Sequence, residues 1–122
     1  MRGALDQFLP LSPATLHILL SLAGEDRHGY GIMQEIARQS EGKYKLGPGT
    51  LYDNLQKLIQ REWVEELGRR PGDEDPRRRY YRLTFSGQGV LEAEIARLAG
   101  VVREARSRLQ FSRSPAAKPR RA

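Results

Sequence analysis

The hydrophobic period of this chain changes twice, and those two changes leave few folds open. Up to Trp63 the apolar residues recur at helical spacing; between Trp63 and Leu83 they alternate; from Thr84 onward the helical spacing returns. A run of helices, a pair of strands and a long closing helix is the order this dictates. At 122 residues the chain makes one domain with a modest core.

Residues 1–11 are loosely patterned, with Leu5, Phe8, Leu9 and Leu11 predicting a short helical turn. Ser12-Pro13 is a helix start, a hydroxyl to cap free amides followed by proline at the first helical position. Leu16, Leu19, Leu20 and Ala23 then form a stripe that Ile18 and Leu22 widen, ending at Gly24-Glu25-Asp26-Arg27. His28-Gly29-Tyr30-Gly31 opens a second helix with Tyr30, Met33, Ile36 and Ala37 inward, running out near Ser40. A connector follows, with a brief strand through Tyr44 and Leu46 as one reading, and Pro48 starts the third helix.

That third helix buries Leu51, Leu55, Leu58 and Ile59. The same wheel turns Thr50, Asp53, Lys57 and Gln60 outward, with Gln56 and Arg61 flanking. Such a face carries donors and acceptors suited to base edges and phosphates, although a single helix of this kind in isolation is more often an ordinary solvated one.

After it, Trp63, Glu65, Leu67 and Arg69 alternate with Val64 and Glu66, up to the polar loop Pro71-Gly72-Asp73-Glu74-Asp75-Pro76. Beyond the loop Arg79, Tyr81 and Leu83 alternate with Arg78, Tyr80 and Arg82, which completes a β-hairpin. Five arginines (69, 70, 77, 78 and 79) flank its tip. Three helices followed by such a hairpin is the order of a winged helix-turn-helix, in which the third helix enters the major groove and the hairpin lies along the backbone. The fold expected is mostly α with a β-hairpin, and residues 1–84 are expected to be the DNA-binding domain.

Thr84 is placed to cap the last helix, predicted over 85–109. Leu91, Ile95, Leu98, Val102, Ala105 and Leu109 are spaced as a heptad seam. Twenty-five helical residues span roughly 37 Å, more than so small a domain covers, so the helix is expected to dimerise; folding back over its own core is the alternative. A two-fold pair of third helices would read a pseudo-palindromic operator. Residues 110–122 are expected to form a disordered basic tail. Arg113, Lys118, Arg120 and Arg121 sit there without an acid, so the tail holds four of the six net positive charges. It is either an arm for polyanions or a solubilising extension.

Other classes find little support. Cysteine is absent, which excludes disulfides, thiolate metal sites and a cysteine nucleophile. His17 and His28 have no sequence-placed partners for catalysis or a metal, so no metal or cofactor is called for, and His28 is assigned to a phosphate contact or a helix cap. No apolar run approaches the roughly 20 residues of a membrane span, and no signal core opens the chain, so a cytoplasmic protein without a membrane role is expected.

The residues also resemble the PadR-like transcriptional regulators from about residue 14 to 100. The resemblance rests on Leu19-Leu20, His28-Gly29-Tyr30, Pro48-Gly49-Thr50-Leu51-Tyr52 with Leu55 and Leu58, Arg79-Tyr80-Tyr81-Arg82-Leu83-Thr84, and Gly87. It implies a homodimeric repressor, released in many members by a small aromatic or hydrophobic effector. The chain departs from the pattern at Glu62-Trp63-Val64, where the family commonly has Gly-Leu-Val, so the helix exit lacks its usual left-handed residue. Trp63 is assigned to core packing, with a ligand-pocket wall as the alternative. The DNA contacts expected are His28, Tyr30, Gly49, Thr50, Tyr52, Asn54, Lys57, Arg77, Arg78, Arg79 and Tyr80; the dimer contacts are Leu91, Ile95, Leu98, Val102 and Leu109. The rival reading is a dimeric interaction adaptor that binds DNA only nonspecifically; a membrane-surface role for the tail is weaker, because it has no apolar anchor.

Overall fold

The computed structural model describes residues 2–68, 72, 75 and 78–112. A short helix α1 (Arg2–Leu5) runs into a single 3-10 turn, Asp6–Phe8. The helix α2 (Pro13–Ser21) begins where the sequence places it: Ser12 Oγ accepts from the Thr15 amide at 3.2 Å. Its buried residues are Ile18, Leu19 and Ser21, with Leu22 buried just after it, whereas Leu20 and Ala23 are exposed, so the stripe lies to one side of the one expected. Arg27 Nε donates to the Ser21 carbonyl at 2.7 Å and fastens the next segment under the C-terminal end of α2.

That segment is the strand β1 (Arg27–His28), followed by α3 (Gly29–Gln39). Ile32 and Ile36 are fully buried, and Tyr30, expected inward, is exposed. At 100° per residue Tyr30 lies about 200° from Ile32, so a core centred on Ile32 and Ile36 turns it to solvent. The connector forms no strand: Ser40 Oγ accepts from the Tyr44 amide and donates to the Tyr44 carbonyl, both at 3.0 Å, folding it into a turn. Tyr44 stacks on His17 at 4.5 Å.

Pro48 opens α4 (Pro48–Gln60), with Leu51, Leu55 and Leu58 buried. Its exit is a Schellman turn without glycine. The Glu62 amide donates to the Ile59 carbonyl (2.9 Å) and the Trp63 amide to the Leu58 carbonyl (3.0 Å), with Glu62 itself left-handed at φ 62°. This turn, rather than strand alternation, places Trp63, so Trp63 and Val64 are both buried while Glu65, Glu66 and Leu67 face solvent.

The strands β2 (Val64–Gly68) and β3 (Tyr80–Leu83) form the expected antiparallel hairpin, and β1 adds to its other edge in the order β1-β3-β2. Val64 faces Leu83, Glu65 faces Arg82 and Glu66 faces Tyr81; the register slips between Glu66 and Gly68, a bulge at Leu67.

Thr84 joins hairpin to last helix. Its amide donates to the Trp63 carbonyl (3.0 Å), its hydroxyl donates to the Glu62 carbonyl (2.6 Å), and the same oxygen accepts from the Gly87 amide (3.0 Å). The helix α5 (Phe85–Ser112) extends three residues past the expected end and spans about 42 Å; residues 110–112 of the expected tail at 110–122 are thus helical, and the rest of it lies outside the described residues. Gly87 sits against the Trp63 carbonyl so closely that a Cβ would collide with it. Val90 and Leu91 complete a core shared with α2, α3, α4 and the sheet. Glu94, a buried carboxylate on α5, accepts from Arg97 (2.6 and 3.1 Å) and from the Leu11 amide (3.0 Å), tying the N-terminal segment down. Its pKa is held below the ordinary glutamate value, first by Arg97 and then, against the opposing effect of burial, by the Leu11 amide.

Candidate nucleic-acid interface

The helices α3 and α4 pack as a helix-turn-helix pair, and α4 presents Thr50, Asp53, Gln56, Lys57 and Gln60 to solvent, opposite its buried leucines. Short donors lie toward its start and a cation in its last turn. Among the described residues no carboxylate pairs with that cation: Asp53 is four residues before Lys57, but no ion pair joins them.

One flank of α4 faces the wing. A cleft of about 510 Å³ there brings together His28, Tyr30, Tyr52, Arg78 and Arg79, all expected contacts, with Glu66, Asp75 and Tyr81. His28 serves as the N-cap of α3, its Nδ1 accepting from the Gly31 amide at 3.0 Å, and it meets Tyr80 edge-on at 5.3 Å. Tyr52 is exposed, and its hydroxyl rests against Gly29, where a Cβ would displace it. Arg79 pairs with Glu66 at 3.4 Å, and Arg82 pairs with Asp26 (3.1 Å) and Glu65 (3.8 Å). The wing's arginines are therefore partly neutralised by β2 and by the loop before β1. Burial, and then the Glu66 charge, push the Tyr81 phenol above its ordinary pKa, so it stays protonated.

Other expected contacts lie elsewhere. Gly49 and Thr50 are exposed at the start of α4, and a Cβ on Gly49 would meet open space. Asn54 is half-buried on the flank away from the wing, its amide donating to the Thr50 carbonyl at 2.8 Å. Lys57 shares that flank. Arg77 lies outside the described residues, as do Arg69 and Arg70. Trp63 is a core residue; Phe8 packs edge-on against it at 5.2 Å.

Along the α5 seam, Leu91 is used within the protomer's own core, and Leu98 is half-buried. Ile95, Val102 and Leu109 are 46–60% exposed and form an apolar row along the helix. Beside it an apolar groove of about 560 Å³ runs between the end of α2 and α5, past Leu83, Leu91 and Ile95. Among the described residues there is no cluster of three or more potential metal-ligating side chains. No helix there is long and apolar enough to cross a membrane.

A sequence profile described as the transcriptional regulator PadR-like family matches residues 18–93, which spans the helix-turn-helix, the hairpin and the first third of α5. The chain belongs to the PadR-like family. A transcriptional regulator of Mycobacterium tuberculosis, Rv3488, is 34% identical over 89 residues, covering 73% of this PadR-like chain and 78% of that protein. An uncharacterised 37.1 kDa protein of transposon TN4556 from Streptomyces fradiae is 38% identical over 94 residues; the match covers 75% of this chain but 25% of that longer protein. The fold is that of a PadR family regulator from Clostridium difficile R20291, with a TM-score of 0.68 at 21% identity, covering 80% of this chain and 99% of the other. Bacillus subtilis PadR in complex with operator DNA gives a TM-score of 0.59 at 22% identity, covering 68% of this chain and 46% of that one. The winged helix-turn-helix is thus the family's architecture, and the family is one of regulators rather than enzymes.

Proposed function

We propose that this PadR-like regulator is a cytoplasmic, sequence-specific repressor that binds double-stranded DNA as a homodimer, without a cofactor. Residues 1–84 form its DNA-binding domain and residues 85–109 its dimerisation helix. The observation that carries the reading is the exposed polar face of α4, backed by buried leucines and flanked by a cleft holding Arg78 and Arg79. In this reading α4 enters the major groove, where Thr50, Asn54 and Lys57 lie near base edges and phosphates. Gly49, with no side chain, lets a phosphate approach the first turn. His28, Tyr30, Tyr52, Tyr80 and the wing arginines, Arg77 included, hold the backbone beside it. The relative from Bacillus subtilis, seen on its operator, supports the same docking.

The row Ile95, Val102 and Leu109 pairs with its copy across a two-fold axis, so the operator is a pseudo-palindrome. A small aromatic or hydrophobic effector would find apolar walls in the groove beside that row.

Binding to duplex DNA from upstream of the protein's own gene, measured across a salt series beside a scrambled duplex, tests this. Preference for the upstream sequence by about 10³-fold or more is expected; equal binding to both would leave the adaptor reading in its place. Val102→Glu should give a monomer by sedimentation, and a dimer unchanged by it would refute the α5 seam. Calorimetry with aromatic carboxylates and hydrophobic cations tests the effector, and ligands that saturate without changing DNA affinity would exclude it.

A further inference from the structure

A helix with its side chains is about 10–12 Å across, and the major groove is about 12 Å wide. A helix lying in it is therefore bracketed by two phosphate backbones, one along each flank. The wing serves one flank of α4. The other faces the N-terminal segment across a shallow groove of about 320 Å³, with Gln7, Phe8, Thr15, Asn54, Lys57 and Arg61 on its walls. Lys57 and Arg61 are four residues apart, one turn above the other on the same face.

Arg61 is held unusually. Its guanidinium carbon lies 5.3 Å from the centre of the Phe8 ring and 5.1 Å from that of Trp63, and those rings meet edge-on. Unlike Arg79 and Arg82, Arg61 pairs with no carboxylate among the described residues. The two rings attract the guanidinium charge but accept no conventional hydrogen bond from it, so its N–H donors are left for an oxyanion. Trp63 is buried and Arg61 directly follows α4, so the two rings hold the guanidinium beside the end of that helix.

We infer that Arg61 is a phosphate-contacting residue, oriented by Phe8 and Trp63, that grips the DNA backbone on the flank of α4 opposite the wing. The inference rests on the DNA-binding reading above. Phe8 acts through Arg61 and is a positioning residue, which gives the N-terminal segment a part in DNA binding.

The test is fluorescence anisotropy of the full chain with the upstream and scrambled duplexes, across a sodium chloride series. Arg61→Gln should weaken both duplexes alike, by about tenfold, because a charge-assisted hydrogen bond to a phosphate is lost without sequence information. The slope of log affinity against log salt should fall by about one. Arg61→Lys keeps the charge but loses the planar fork held by the two rings; it should keep the slope and lose affinity. Phe8→Leu should likewise weaken binding with the slope unchanged. Emission of Trp63, the chain's only tryptophan, and the urea midpoint report that each variant is folded. If wild-type protein binds DNA and folded Arg61→Gln keeps its slope, Arg61 touches no phosphate and only this inference falls. If Arg61→Lys binds as the wild type does, the role of the aromatic pair is refuted. Wild-type protein that binds neither duplex overturns the DNA-binding reading and this inference together.

Discussion

Replacing Glu62 by glycine should stabilise the protein, and the structure sets the size of the gain. Glu62 holds φ 62° at the exit of α4. A left-handed L-residue costs about 1–2 kcal/mol, from the approach of its Cβ to the following carbonyl. Glycine removes that cost but returns about 0.4–1 kcal/mol through its greater freedom in the unfolded chain. Every hydrogen bond of the turn uses the backbone of residue 62 or its neighbours, including the one its carbonyl accepts from Thr84, so all survive the change. The net gain is about 0.5–1 kcal/mol. Glu62→Ala is the control, because it removes the same charge and keeps the Cβ. Urea unfolding at fixed protein concentration, followed by Trp63 emission, should rank Glu62→Gly above Glu62→Ala by that amount, with an unchanged slope. If the two variants unfold together, the left-handed residue stores no strain and the reasoning is wrong.

Three other outcomes follow. Gly87→Ala should destabilise by about 1–3 kcal/mol despite alanine's better helix propensity, because the new methyl meets the Trp63 carbonyl rather than a side chain able to swing away; a gain in urea midpoint would contradict the packing. Glu66→Gln should raise affinity for scrambled and upstream DNA alike by freeing Arg79, and an unchanged nonspecific affinity would show that the pair at 3.4 Å does not restrain that arginine. Glu94 has a depressed folded pKa, so its stabilisation is complete above the ordinary glutamate value of about 4.3 and is lost as pH falls through the lower folded value. Between pH 7 and pH 3.5 the wild-type urea midpoint should therefore drop further than that of Glu94→Gln, and parallel curves would deny the carboxylate this role.

What the sequence made legible is what short-range chemistry decides. Ser12 and Thr84 cap helices because hydroxyls before a helical run satisfy free amides, and Pro48 opens α4 because proline fits a first turn. The strand β1 was hidden because two residues carry no alternation; Arg27 and His28 extend only because the edge of β3 is there to pair with. Tyr30 was turned the wrong way because an aromatic at helical spacing looks like core until Ile32 and Ile36 fix the axis. Trp63 and Val64 are buried together because the backbone closes a Schellman turn with glutamate where glycine is usual, and residue type gave no sign of it. Within the site, the pairing of Arg79 with Glu66 depends on register and on the bulge beside it. Arg61 was placed on a flank of α4 by the helical wheel, but its two aromatic neighbours come from residues two and fifty-three positions away, and only the fold brings them together.

The knot of bonds at Thr84 has a mechanical meaning. The hairpin leaves the body at Trp63 and returns at Thr84, and those residues are bonded to each other, so the wing is closed at its foot and held along one edge by β1. The end of α4 and the start of α5 share the same footing, locked by Gly87. In a dimer built on α5, the two reading heads behave as fixed jaws of a caliper whose opening is set by the rod between them. Variation at the wing tip can then retune the grip on the backbone while the distance between half-sites stays constant.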